Sequence, residues 1–316
     1  MKLLFIGYSN LLKKRVFPIL DRISHIDSVE IAKFKSQSWD DEYKCISKRV
    51  KLYDDYESAF NTSKADIAYI STTNNSHYKL AKMALFAGMH TIIDKPATIH
   101  LSETEELLEI AIEKNLLLTE STVYTYHPQI KLIKSIFEKE NSTPKLITVQ
   151  FSFPPFPADN FRYNMELGGG ALLDTGTYAV SVGRCFFDTL PLSCTYVVND
   201  SFEDGLEISY SLLIKYSNGR SLIGNFGFNT EYINHINILG ENLYIDVDRI
   251  FTIPEDIQNK ITVRSRNKSF EVFSTEANTF EMYLKAVFLK FELGDYTELY
   301  SDMLNDAIAR NLIKKQ

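Results

Sequence analysis

The sequence predicts a two-domain α/β protein: a doubly wound parallel sheet over residues 1–121, then an α+β domain with a large, mostly antiparallel sheet over 122–316. Two observations carry this. In the first part, short apolar runs alternate with amphipathic helical stretches, the pattern of a parallel sheet covered on both faces. From about Pro144, apolar residues recur at every second position, as in an antiparallel sheet with one face on a core. With 316 residues, 45% of them apolar, the chain is long enough for two such cores.

Strands are expected at 2–7, 29–34, 67–71, 91–93 and 116–119, with helices at 76–87 and 102–114 among them. Ser102 is placed as the N-cap of the second helix, because acids follow it in the first turn. The second domain is expected to hold strands at 146–153, 207–216, 221–228, 235–239, 244–247, 261–266 and 269–273. Along 208–216, Ile208, Tyr210, Leu212 and Ile214 form an apolar face that Phe226 and Phe228 extend. Leu213 interrupts the opposite, polar face of Ser209, Ser211 and Lys215. Helices at 279–292 and 301–314 close the chain.

A formal charge of −7 and a pI near 5.5 argue against an electrostatic grip on nucleic acid or an anionic membrane. Cys45, Cys185 and Cys194 have no metal-ligand spacing and suggest no disulfide framework, so they read as reduced thiols and no metal is expected. No apolar run approaches the length of a membrane span, and residues 1–6 read as a strand entry rather than a leader; the expected compartment is the cytoplasm.

Chemistry concentrates in two places. Gly168-Gly169-Gly170 opens a helical run in which Asp174 and Tyr178 stand four apart, on one face. Glycines there let backbone N–H groups approach a bound molecule, and an acid with a phenol suits a carbonyl-reducing or alcohol-oxidising site. The plainer reading is a tight turn before a core helix. Upstream, Asp94-Lys95-Pro96 follows the apolar run Met89–Ile93. A lysine at the end of such a strand lies where open α/β sheets bind ligands. The plainer reading is a surface lysine, which the acidic neighbour and the rigid proline turn weaken.

With these segments the chain resembles the glucose–fructose oxidoreductase / inositol dehydrogenase (Gfo/Idh/MocA) family of NAD(P)-dependent enzymes. Thr72-Thr73-Asn74-Asn75-Ser76-His77 is similar to the family's loop after the fourth strand. Ala87-Gly88-Met89-His90 with Asp94-Lys95-Pro96 resembles its lysine segment. Glu120 to Pro128 resembles its crossover, and Phe161-Arg162-Tyr163 with the triple glycine resembles its substrate-site helix. The resemblance implies an N-terminal Rossmann domain and a substrate and oligomerisation domain. It assigns catalytic roles to Lys95, Tyr178 and Asp174, and substrate contacts to Lys95, Tyr124, Arg162, Asp174 and Tyr178. Cofactor contacts fall on Gly7, Ser9, Asn10, Leu11, Lys35, Ser36, Ser71, Thr72, Asn74, His77, Asp94 and Lys95.

The chain departs from that pattern in places. The Gly-rich fingerprint shrinks to Gly7-Tyr8-Ser9-Asn10-Leu11-Leu12, where Ser9 is small and carries a hydroxyl able to donate to a phosphate. Thr73 replaces a proline, Asp94 a glutamate, Tyr178 a frequent histidine and Thr125 a frequent arginine. At the end of the second strand, Lys35 and Ser36 stand with no carboxylate before Asp40, which favours NADP over NAD.

The chemistry implied is hydride exchange between nicotinamide and an oxygen-bearing carbon of a sugar or nucleotide sugar. Tyr178 would exchange the proton, and Lys95 would supply the positive charge that a phenol of ordinary pKa near 10 needs. Asp174 would orient Lys95 or a substrate hydroxyl. Lys95 as proton carrier is the alternative at this level. Arg162 can hold a phosphate or carboxylate, with Asn160, Tyr163, Phe151, Phe153, Phe156 and the 228–232 segment as further candidates. A second function class is a non-catalytic dinucleotide-binding sensor, which the reduced fingerprint suits. The resemblance also implies a homodimer or a larger even-numbered homo-oligomer formed through the open sheet face.

Overall fold

The computed structural model describes residues 1–266 and 268–314. The chain divides into two compact units, Met1–Ser121 with Phe280–Leu304, and Thr122–Thr279 with Asn305–Gln316. The sequence placed all of 122–316 in one domain, whereas residues 280–304 group with the first unit.

The first unit comprises Lys2–Ile6 (β1), Ser28–Ala32 (β2), Arg49–Tyr53 (β3), Tyr56–Thr62 (α1), Ile67–Ile70 (β4), His77–Phe86 (α2), His90–Ile93 (β5), Leu101–Glu113 (α3) and Leu118–Glu120 (β6). Its sheet runs β3-β2-β1-β4-β5-β6 with every pairing parallel. Buried Leu3–Ile6 and Ile67–Ile70 form its two central strands, apolar on both faces as a covered parallel sheet requires. Strand β3 was not legible in the sequence, because at this edge Arg49 and Lys51 are exposed and interrupt the apolar run. The segment after β1 is a π-helical turn, Leu12–Val16, followed by a 3₁₀ stretch, Phe17–Arg22, that contains Pro18. Helix α3 begins at Leu101, one residue before the expected cap. Glu103 accepts the His100 N–H at 3.0 Å, so Ser102 lies inside the first turn.

The second unit comprises Pro128–Lys139 (α4), Pro144–Ser152 (β7), Ala171–Phe187 (α5), Ser193–Ser201 (β8), Glu207–Lys215 (β9), Ser221–Gly227 (β10), Ile233–Gly240 (β11), Leu243–Asp248 (β12), Lys260–Ser265 (β13) and Lys268–Phe273 (β14). Its eight-stranded sheet has the order β14-β13-β12-β11-β7-β10-β9-β8, antiparallel except for the parallel β7–β10 pair. Strand β8, an edge strand whose residues are largely exposed, was likewise not legible in the sequence. Thr279–Leu293 (α6) and Thr297–Lys314 (α7) end the chain. In the first unit Tyr300 of α7 donates to the Leu116 carbonyl, and His90 meets Phe291 edge-on at 4.7 Å, which ties 280–304 to the parallel sheet.

Helix α5 packs on β7, β9 and β10. Tyr210, Leu212, Ile214, Phe226 and Phe228 are buried with it, as the alternation predicts. Its small residues permit that depth: a Cβ at Gly183 would lie 1.9 Å from the Tyr216 hydroxyl. Along α5 only Leu173, Tyr178 and Arg184 are not buried. Arg184 pairs with Asp306 through two contacts of 2.9 Å. On the opposite sheet face Val197, Ile223 and Leu239 are exposed among polar neighbours.

Candidate active site

In the first unit the strand order reverses between β1 and β4, and the carboxyl ends of these strands frame the crevice where such sheets take ligands. Gly7, buried with φ +110°, has no room for a side chain: a Cβ would lie 2.0 Å from the Ser71 carbonyl oxygen. Ser9 pairs with the Ser71 hydroxyl at 2.7 Å and accepts the Leu12 N–H at 3.2 Å. Ser71 in turn donates to the Asp94 carboxylate. An ionised carboxylate only accepts, so donation runs one way, from Leu12 N–H to Ser9, to Ser71, to Asp94. In this arrangement the Ser9 hydrogen is directed to Ser71. Asn10 and Leu11 open the turn that follows, exposed and half-buried respectively.

Asp94 also accepts from Tyr69 at 2.8 Å and from Ser121 at 3.0 Å. This carboxylate joins the ends of β4, β5 and β6. The next residues are fixed as firmly. The Pro96 carbonyl lies 2.8 Å from His77 Nδ1, and the Ala97 N–H donates to buried Glu120 at 2.6 Å. Half-buried Lys95 thus sits on a backbone held from both sides. The His77 ring, 1% exposed, spends its other nitrogen on the Thr72 carbonyl at 3.2 Å, and burial lowers its pKa. It acts as a strut between the two loops. Thr72 pairs with Ser76 at 2.6 Å, and Asn74 is buried.

At the end of β2, Lys35 and Ser36 are exposed. The neighbouring Lys33 side chain is buried and pairs with Asp54 at 2.9 Å. Asp40 folds back onto Tyr8 and Lys13, and these hydrogen bonds, Lys13 first, lower its pKa to about 2. The acid that sequence spacing set apart from this loop is thus close to the first turn but already paired with Lys13. Gly7, the strand-order reversal and an exposed lysine with a hydroxyl at the end of β2 together fit a dinucleotide with a phosphorylated ribose.

In the second unit the triple glycine does something other than cradle a ligand. The N–H groups of Gly168, Gly169 and Gly170 donate to Met165, Asn164 and Arg162 carbonyls at 3.0, 2.9 and 2.9 Å. The Leu172 N–H at the start of α5 donates to Glu207 at 3.2 Å. A Cβ at Gly169 would meet the Arg162 carbonyl oxygen at 2.5 Å. These glycines draw the 160–167 loop down onto the helix.

That loop carries Arg162, which grips Asp174 with Nε at 2.9 Å and Nη2 at 3.3 Å. The acid and the guanidinium that sequence assigned to separate ligand contacts engage each other. Tyr178, one turn on, has its ring among Phe151, Phe251 and Tyr124, at 5.0, 4.8 and 5.9 Å between centroids. Tyr124 is fully buried, with its hydroxyl 2.8 Å from Ser181, and burial pushes its phenol well above the ordinary range. It braces α5 and has no free face for substrate, contrary to the expectation. Phe151 and Phe228 are core residues. Tyr163 accepts the Phe156 N–H at 2.8 Å, and Asn229 donates to Asp200 at the same distance. Sequence reading missed Tyr69, Ser121, Glu120 and Glu207. The first three stand at the carboxyl ends of β4 and β6, on either side of β5, a position that strand order would have exposed.

Comparison with known proteins adds the following. A model of an oxidoreductase family with an NAD-binding Rossmann fold, GFO_IDH_MocA, matches residues 1–122, and a GFO/IDH/MocA C-terminal domain model matches 132–246. A dTDP-3,4-didehydro-2,6-dideoxy-alpha-D-glucose 3-reductase of Saccharopolyspora spinosa is 30% identical over 67% of this chain, and the match spans 64% of that relative, just under two thirds. The enzyme of the same name from Actinomadura kijaniata is 23% identical over 94% of this chain and 89% of its own length. A crystal structure of a 3-ketoreductase from Actinomadura kijaniata, in complex with NADP and TDP-benzene, superposes with a TM-score of 0.90 at 21% identity. It covers 100% of this chain and 97% of that one, a likeness of fold.

Proposed function

Because this chain belongs to the Gfo/Idh/MocA family of oxidoreductases, we propose that it is an NADP-preferring enzyme acting on a carbonyl or hydroxyl carbon of a nucleotide-linked sugar. The observation that carries this is Tyr178: a partly exposed phenol on a largely buried helix, one turn from a carboxylate fixed by Arg162. Bound nicotinamide would supply the hydride chemistry. The loop from Gly7, with Ser71, Thr72 and the backbone around Asp94, would hold the dinucleotide, and Lys35 and Ser36 would meet the 2′-phosphate. Tyr178 exchanges the proton with the substrate oxygen, and the family resemblance gives Lys95 a catalytic role. Asp174, already paired with Arg162, shapes the position of its partners instead of taking up the proton. The relatives named as dTDP-sugar 3-reductases support a nucleotide-linked keto sugar as substrate. The exposed sheet face with Val197, Ile223 and Leu239 supports pairing with a second copy.

Nicotinamide absorbance, followed with NADP or NADPH and a panel of aldoses, keto sugars and dTDP- or UDP-sugars, tests the reading. Turnover of a nucleotide sugar supports it. Tight NADP binding with no turnover of any member would select a sensor in its place.

A further inference from the structure

Arg162 is more tightly specified than any role in packing alone requires. Its N–H donates to the Asn160 side chain at 3.1 Å, and its carbonyl accepts the Gly170 N–H at 2.9 Å. Its guanidinium lies 4.8 Å from the ring centres of both Phe156 and Phe161. The end of the side chain then meets both oxygens of Asp174, which is 8% exposed. A bidentate pair on so fixed a stem keeps its geometry, because little rotamer freedom remains to lose.

We propose that Arg162 is the positioning residue of the α5 acid–phenol pair: it keeps Asp174 as a carboxylate and sets a fixed positive charge by the Tyr178 phenol. The consequence is a division of labour. Asp174 is removed from proton exchange, and the proton is left to Tyr178. The three groups are on one side of the unit, since Asp174 and Tyr178 share a helix face. The electrostatics agree in direction: burial works against the guanidinium charge, but Asp174, then Tyr178 and Tyr163, offset it and raise its pKa. The triple glycine gains its purpose here, because a side chain at Gly169 would push the Arg162 backbone off the helix.

The proposal rests on Tyr178 as proton donor, so its test reads the phenol without turnover. Full-length protein is titrated from pH 7 to 12 by ultraviolet difference absorbance. The difference from Tyr178→Phe isolates the ionisation of Tyr178 from that of the other tyrosines. Arg162→Gln is expected to raise the Tyr178 midpoint by about one pH unit or more, through loss of a nearby cation. Asp174→Asn is expected to lower it, since the guanidinium charge then stands uncompensated. A midpoint unmoved in both variants, or moved the same way in both, overturns the proposal. Should Arg162→Gln fail to fold, Asp174→Asn decides alone, because it keeps the arginine: a lowered midpoint supports the proposal and an unchanged or raised one overturns it. Full turnover by Tyr178→Phe would sink the reading of Tyr178 as donor and would leave the titration result standing.

Discussion

Replacing Asp94 tests whether the lysine loop is held by one carboxylate. The residues that donate to it, Tyr69, Ser71 and Ser121, are 2%, 2% and 5% exposed, so water cannot take over their hydroxyls. A hydrogen bond to a charged group contributes ~1.5–3 kcal/mol, and part of this is recovered because no carboxylate need be desolvated. Asp94→Ala is therefore expected to destabilise the first unit by about 3–5 kcal/mol. Asp94→Asn should cost only about 1 kcal/mol, because its oxygen still serves Tyr69 and Ser121 while its amide donates to Ser71. Trp39 is the only tryptophan, and it belongs to this unit, so its fluorescence during urea unfolding reports the right part of the chain. The reasoning fails if Ala stays within ~0.5 kcal/mol of the parent, or if Asn is as harmful as Ala.

Lys95→Ala and Tyr178→Phe should each lower turnover about a hundredfold or more while NADP binding, measured by calorimetry, persists; full activity in Tyr178→Phe excludes its proposed role. Ser36→Asp should shift preference toward NAD by repelling the 2′-phosphate, and tighter binding of NAD than NADP by the parent would contradict the reading of this loop. Light scattering at micromolar concentration should give a dimer or a larger even assembly, and a clean monomer mass near 36.3 kDa would refute it. Buried His127 accepts the Gln129 N–H, and burial lowers its pKa from 6.5 to about 4. The unfolded chain therefore binds the proton first, and the second unit should lose up to roughly 3 kcal/mol as pH falls from 6.5 toward 4. His127→Asn keeps a capping oxygen and should abolish that slope in urea midpoints; an unchanged slope argues against His127 as its source.

Apolar periodicity made the central strands of both sheets legible, because their side chains answer to burial alone. It was silent on β3 and β8, whose edge positions let polar side chains face water. The functional residues were legible by type more than by role. Lys95, Asp174 and Tyr178 stood out, whereas the partners that define their surroundings did not. Arg162 and Asp174 are twelve positions apart, and only a folded loop reveals that they pair. Glycines at 168–170 looked like a ligand cradle, because sequence shows freedom of backbone but not which carbonyls use the N–H groups. Ser9 raised the same difficulty, since a hydroxyl's direction depends on Asp94, far along the chain.

Helix α5 leaves little room for evolutionary drift. With all but three of its side chains buried, almost any exchange along it meets a packed neighbour, and at Gly183 even a methyl group has no space. Divergence toward new substrates must therefore be written elsewhere, in exposed segments such as 157–159 and 229–231, where a changed side chain meets no core neighbour. The helix is the fixed grammar of such a protein, and the exposed loops around it are the vocabulary that can change.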